Sequence, residues 1–480
     1  MLFNSFSFAI FLPIVFAIYW LLPHKFRWIL LLIASYYFYM SWNVKYVILI
    51  LFTTAVSYFA AIYIEKAKDK KRKKCVLIWA ALLCLGVLFF FKYFNFATES
   101  ISNILSLFTI QISPLTINLL LPVGISFYTF QTLSYVIDVY KGEVKAERHF
   151  GYYATFISFF PQLVAGPIER TRNLLPQIKE RHLFDYSEAT YGLKLMAWGY
   201  FKKIVIADTL SRYVGTVYDN PQQFTGFSLV LASLFFTIQI YCDFSGYSDI
   251  AVGTAKLLGI NLMNNFQSPY FSQSVKEFWS RWHISLSTWF RDYIYIPMGG
   301  NRVGKAKKIR NLMVTFLVSG LWHGANWTYV VWGGLHGLAQ SIENLFVSKK
   351  KQSELTGRIK WGRVALVFMF STVAWVFFVS NSLSDAIYVF QHAFDGISAP
   401  LAYLRDGFSK IYIDWTILLK MVVMIIPLGI YDYVSLKKDV IIEIGKKSLI
   451  KRWTIYVILL LVIVFFSQKG IAAEFVYFQF

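Results

Sequence analysis

A succession of weakly charged apolar stretches, separated by short loops rich in lysine and arginine, constrains this 480-residue chain more than any other feature. A helix rises 1.5 Å per residue, so a hydrocarbon layer about 30 Å thick takes roughly 20 apolar residues to cross. Stretches at 5–22, 28–42, 45–64, 75–95 and 119–140 have that character, the shorter ones needing a thinned bilayer or help from neighbours. Basic loops stay on the cytoplasmic side, and KAKDKKRKK at 66–74 is the strongest such mark. Counting back from it puts the N-terminus outside and Pro23 to Arg27 inside. Counting forward puts residues 96–118 outside, with room for an interfacial helix, and the KGEVKAERH loop at 141–149 inside. The first apolar run lacks a basic leader and a small-residue cleavage site, so it reads as a retained helix.

The remaining segments follow the same rule. Residues 150–168 are basic on both flanks and contain Pro161, Gly166 and Pro167, the pattern of a broken segment that enters and leaves on the cytoplasmic side. Residues 189–211 lead outward and 227–244 return. The stretch 247–310 contains no clean 18-residue apolar run and mixes Trp, Phe, Arg and His, so it lines something rather than crossing. Residues 309–347 form a pair of apolar helices that meet at LWHGANW, after a basic loop holding Lys305, Lys307, Lys308 and Arg310. Crossings at 361–380, 415–432 and 453–467, with basic loops at 348–360 and 437–452, complete a count of twelve and put the tail 468–480 outside. The expectation is an all-α polytopic membrane protein, one embedded domain over 1–480, with both termini extracytoplasmic.

Composition supports this and excludes alternatives. With 57% hydrophobic, 19% aromatic and 15% charged residues the chain does not suit a soluble globular fold. A net charge of +21 would suggest nucleic acid in a soluble protein, but here the cations fall in loops, where the lipid bilayer is the partner. Cys75, Cys84 and Cys242 have no CxxC spacing and imply neither a disulfide framework nor a zinc site.

Four of the seven histidines, His24, His149, His182 and His392, fall in expected loops. His283, His323 and His336 are the embedded ones. Residues 309–322 rise roughly 21 Å, so His323 lies deep in the layer if Arg310 sits at one face. An ionisable group there marks a functional site by default, the alternative being a neutral ring bonded to a backbone carbonyl. His336 lies among Gly333, Gly334 and Gly337, where close helix packing is the simpler role. A neutral imidazole suits proton transfer from a hydroxyl, whereas no HxxxH, HExxH or HxxHH spacing supports a metal.

FWSRWHISLSTWFRDYIYIPMGGNR at 278–302 and LVSGLWHGANWTYVVWGGLHG at 317–337 resemble the signature of membrane-bound O-acyltransferases (MBOATs). PQLVAGPIER, YCDFSGYSDIAVG and the opening FNSFSFAIFLPIVFAIYW are similar to the bacterial branch that serves cell-surface polymers, with a core over about 119–347. The resemblance implies a ring of helices with re-entrant segments around a central tunnel joining a cytoplasmic acyl-donor chamber to the outer face. It implies that His323 is the active-site histidine and His283 its second polar position, and it places Arg281, Lys305 and Lys308 near the phosphates of a coenzyme A donor. The expected donor is acetyl-CoA, with no permanently bound cofactor and no metal. The terminal FVYFQF resembles a segment suggested to carry the acyl group, which nominates Tyr477; an interfacial anchor is the alternative for that ring.

On this reading the chain moves an acetyl group across a bacterial cytoplasmic membrane for O-acetylation of an exported polysaccharide. No serine nucleophile elbow is present, so an exported SGNH-like acetyltransferase partner is expected to complete the transfer. D-alanyl transfer to teichoic acid and a lipid-linked sugar transporter or flippase without chemistry are the competing readings.

Overall fold

The computed structural model describes residues 1–164, 166–346, 359–466 and 475, and they are organised almost entirely in helices. Six helices among them are long and apolar enough to cross a membrane: Val44–Lys66, Lys70–Ser106, Phe227–Leu257, Trp361–Val379, Trp415–Ser435 and Leu449–Phe466. The chain is a multi-pass membrane protein. The other six expected crossings fall on helices that are shorter, such as the 16 residues of Phe6–Leu21, or that carry polar side chains. Ile125–Lys141 shows why: it buries Thr129, Gln131, Thr132, Ser134 and Asp138 among protein atoms, so it does not need a uniformly apolar surface.

Contacts divide the chain into two compact units, residues 1–193 with 251–263, and residues 194–250 with 264–480. In the first, several boundaries differ from expectation. The helix that starts at Lys70, capped by the Asp69 side chain, continues through a π-helical turn at Phe89–Tyr93 to Ser106, so half of the expected outer loop is helical. The next helix starts at Ile125 rather than 119, because Pro122 and Gly124, the latter at φ 75°, hold the preceding residues out of helix.

The expected break in 150–168 is present, at Phe159. Helix Phe150–Ser158 stops at Phe159, and a single turn, Phe160–Leu163, follows. Interrupted backbone that is buried must find partners within the protein. The Gln131 and Gln162 side chains both donate to the Phe156 carbonyl at 2.9 Å, and Ser35 Oγ accepts from the Phe160 amide at 3.0 Å. Beyond it, fully buried Glu169 accepts from the Met263 amide and from Asn173 Nδ2, and burial pushes its carboxyl above the usual range.

The second unit has an apolar core of its own, which includes Phe236, Trp282, Trp332, Trp375 and Phe378. Residues 186–218 form helix interrupted by a π-helical stretch at Phe201–Ala207. The 247–310 region resolves into the end of Phe227–Leu257, a 3-10 turn, two seven-residue helices, Val275–Arg281 and Ile284–Phe290, and a π-helical turn at Arg291–Tyr295. No uninterrupted helix of spanning length lies between Leu257 and Lys305. Lys305 begins a helix that runs to His323, so the lysines expected in a loop sit on its first turns.

Candidate active site

The hairpin of Lys305–His323 and Trp327–Phe346 positions the first histidine. The two helices touch backbone to backbone: a Cβ on Gly320 would meet the Tyr329 carbonyl oxygen, and one on Gly333 would meet the Phe316 carbonyl oxygen. Small residues at such crossings let helices approach without side chains between them. Asn326 Oδ1 accepts from the Thr328 amide at 3.0 Å and starts the second helix. His323, the last residue of the first helix, is thereby enclosed. Its ring lies 5.0 Å from those of Trp322 and Trp332 and 5.4 Å from that of Phe378, edge to face in each case.

His283 sits at the junction of the two seven-residue helices with left-handed backbone, φ 43° and ψ 55°. Positive φ in a residue other than glycine is uncommon and clusters at functional sites. Hydrogen bonds from the 265–267 segment hold the junction: Asn265 O accepts from the Ile284 amide at 3.0 Å, and Arg281 O accepts from the Gln267 amide at 2.9 Å. The imidazole is fully buried and Phe244 meets it edge-on at 4.6 Å. Burial pushes its pKa below the ordinary value, so it is neutral at physiological pH.

The two imidazoles lie 6.3 Å apart, centroid to centroid, with Trp322 beside both. That separation leaves about 4 Å or more between ring nitrogens, beyond a direct hydrogen bond but within reach of one shared substrate group. The site is walled by aromatic rings, and a water-poor setting strengthens any hydrogen bond to developing charge. The arrangement suits proton transfer to and from an oxygen or sulfur held between the rings.

His336 points elsewhere. Its Nδ1 accepts from Trp279 Nε1 at 3.2 Å, and it packs against Trp332 and Phe370. The expected donor-binding cations are dispersed in their contacts. Arg281 pairs with Glu277 at 2.7 Å, Lys308 donates to Asn344 at 2.9 Å, and Lys305 is an exposed first residue of its helix. Tyr477 lies outside the described residues. Phe475, two positions before it, is buried with its ring 5.6 Å from Phe244 and 4.8 Å from Tyr247. Among the described residues no group of three His, Cys, Asp or Glu could hold a metal ion.

Sequence reasoning passed over a buried ionic group in the same unit. Lys203 pairs with Asp208 at 2.9 Å and with Asp243, and Lys202 pairs with Asp249 at 2.7 Å and Ser245 at 2.9 Å. Both lysines come from the π-helical stretch, a feature frequent at functional sites. The signal was the adjacent Lys202 and Lys203 inside an expected crossing, where ionisable side chains are rare.

The profile of the membrane-bound O-acyltransferase family matches residues 143–384, which contain both histidines and the hairpin. The chain belongs to that family. As an MBOAT it is an O-acyltransferase, and it is similar to bacterial members of the family. It is 40% identical over 393 residues to the probable alginate O-acetylase AlgI of Pseudomonas aeruginosa, covering 82% of this chain and 74% of the relative. It is 36% identical over 427 residues to the peptidoglycan O-acetyltransferase of Helicobacter pylori, covering 82% and 79%. It is 28% identical over 330 residues to the teichoic acid D-alanyltransferase of Bacillus subtilis, covering 63% and 82%.

Proposed function

We propose that this MBOAT passes an acetyl group from a cytoplasmic thioester, acetyl-CoA, towards an exported cell-surface polysaccharide. The observation that carries the reading is the buried His283–His323 pair, 6.3 Å apart, in a wall of Phe244, Trp322, Trp332 and Phe378. Similarity to O-acetylases over four-fifths of the chain supports acetyl rather than D-alanyl as the cargo.

His323 accepts the proton of an attacking hydroxyl, the oxygen bonds to the acetyl carbon, the carbon–sulfur bond breaks, and the proton passes to the departing thiolate. His283, neutral in its apolar surroundings, orients the reacting groups by hydrogen bonding. The hydroxyl is that of Tyr477, which becomes an acetyl ester. A phenol with pKa near 10 is only about 0.1% ionised at pH 7, so it needs the base. Phe475 supports this assignment, because it roots the start of the FVYFQF terminus on Phe244, the ring that meets His283.

The tunnel and helix ring of the family, the extracytoplasmic termini, and the approach of CoA phosphates to Arg281, Lys305 and Lys308 belong to the same proposal. So do the single acyltransferase domain and an SGNH-like exported partner that takes the acetyl group to the glycan. Mass spectrometry of purified protein after incubation with labelled acetyl-CoA tests the central step. A labelled acetyl group is expected on the C-terminal peptide and absent from Tyr477→Phe. Label elsewhere, or label retained in Tyr477→Phe, would remove Tyr477 from the pathway.

A further inference from the structure

We infer that Asn265 and Ser285 are further catalytic residues, whose side chains donate hydrogen bonds to the acetyl carbonyl oxygen as it becomes negatively charged beside His283. The inference rests on the acyl-transfer reading above. Asn265 is 1% exposed and Ser285 fully buried. Asn265 clasps the His283 junction twice: its backbone carbonyl accepts from the Ile284 amide at 3.0 Å, and its Oδ1 accepts from the Ser285 amide at 3.2 Å. The second bond fixes which way the side-chain amide faces, because only oxygen can accept there. Both Nδ2 hydrogens are then committed to the other side, where Nδ2 has no hydrogen-bond partner among the described residues. Ser285 Oγ is in the same condition.

Buried polar groups nearly always find partners, and one left unmet is costly to fold around. Here two unmet donors come from residues joined to each other by a hydrogen bond, on either side of a junction whose central residue, His283, holds a left-handed backbone. Donors waiting for an acceptor that exists only during reaction are what stabilises a tetrahedral oxyanion in acyl transfer. The intermediate forms when the hydroxyl oxygen bonds to the thioester carbon and the carbonyl electron pair moves onto its oxygen. Expulsion of the thiolate restores the carbonyl and frees both donors.

Two substitutions separate this role from clasping. Asn265→Asp keeps the Oδ1 acceptor for the Ser285 amide but removes both Nδ2 donors. Ser285→Ala removes only the hydroxyl and leaves its backbone amide on Asn265. Acetyl-CoA consumption by the purified full chain is followed alongside His323→Ala, with thermal unfolding and CoA binding measured on each variant. The expected result is a fall in the first-turnover rate of ~10² to 10³-fold for Asn265→Asp and at least ~10-fold for Ser285→Ala, with CoA binding within about twofold. Should Asn265→Asp not fold, Ser285→Ala decides alone. A wild-type first-turnover rate in a folded variant overturns the inference. Loss in His323→Ala together with wild-type rates in both others leaves the acyl-transfer reading standing and this inference false. Retention of activity in His323→Ala overturns the reading beneath it.

Discussion

At the scale of single residues, the proposed site depends on imidazoles held where water cannot compete for them. His283 and His323 were legible in the sequence because an ionisable side chain in an apolar stretch has few structural uses; Trp322, the residue before His323, lies beside both rings. Asn265 was not legible, since one asparagine in a polar loop gives no sign that a hydrogen bond will fix its amide against the residue after next from His283. Replacing His283 by Ala removes an orienting ring that the surrounding aromatics cannot replace. Acetyl transfer is expected to fall by ~10² or more while the protein still unfolds cooperatively, and steady-state acetyl-CoA kinetics beside a melting curve checks it. The Lys203 pair makes a separate claim. Lys203→Met alone strands Asp243 and Asp208 in the core and is expected to cost ~3–5 kcal/mol, and adding Asp243→Leu is expected to recover part of that. Thermal unfolding of the two variants in detergent measures the difference.

At the scale of elements, two backbones in contact set the place of His323. Ala at Gly320 or Gly333 forces the hairpin helices apart against carbonyl oxygens that cannot move aside. Each is expected to cost ~1–3 kcal/mol by overpacking and to lower acetyl transfer by displacing His323, read as a lower melting temperature and a lower kcat. The glycines of the second helix were legible as packing positions, and so was the broken segment at 150–168, because proline and glycine at such depth have few other uses. Helix ends were less legible. Lys305, Lys307 and Lys308 read as loop residues because charge was taken to end a span, whereas lysines tolerate a first helical turn and reach outward from it. The continuity of the run through Phe89–Tyr93 to Ser106 was hidden for the opposite reason: lower apolarity was read as the end of the span, with room only for a separate interfacial helix beyond it.

At the scale of the whole molecule, loop charge carries the proposed topology, and composition alone excluded a soluble fold. Among the described residues six helices meet the demand for long apolar spans, and Ile125–Lys141 buries polar side chains against protein, which no hydropathy window can foresee. Cys75 gives a direct check on orientation. It is exposed beside Lys70–Lys74, whereas Cys84 and Cys242 are buried. A membrane-impermeant maleimide is expected to label the wild-type chain in inverted vesicles and not in right-side-out ones, and the reverse pattern would invert the orientation assigned to every loop.

The most direct test of the account is the rate at which purified protein consumes labelled acetyl-CoA, compared between wild type and His323→Ala. Loss of at least ~10²-fold with folding intact is the expected result. Equal rates in the two proteins, or no consumption by either, would contradict the claim that this buried histidine drives acyl transfer.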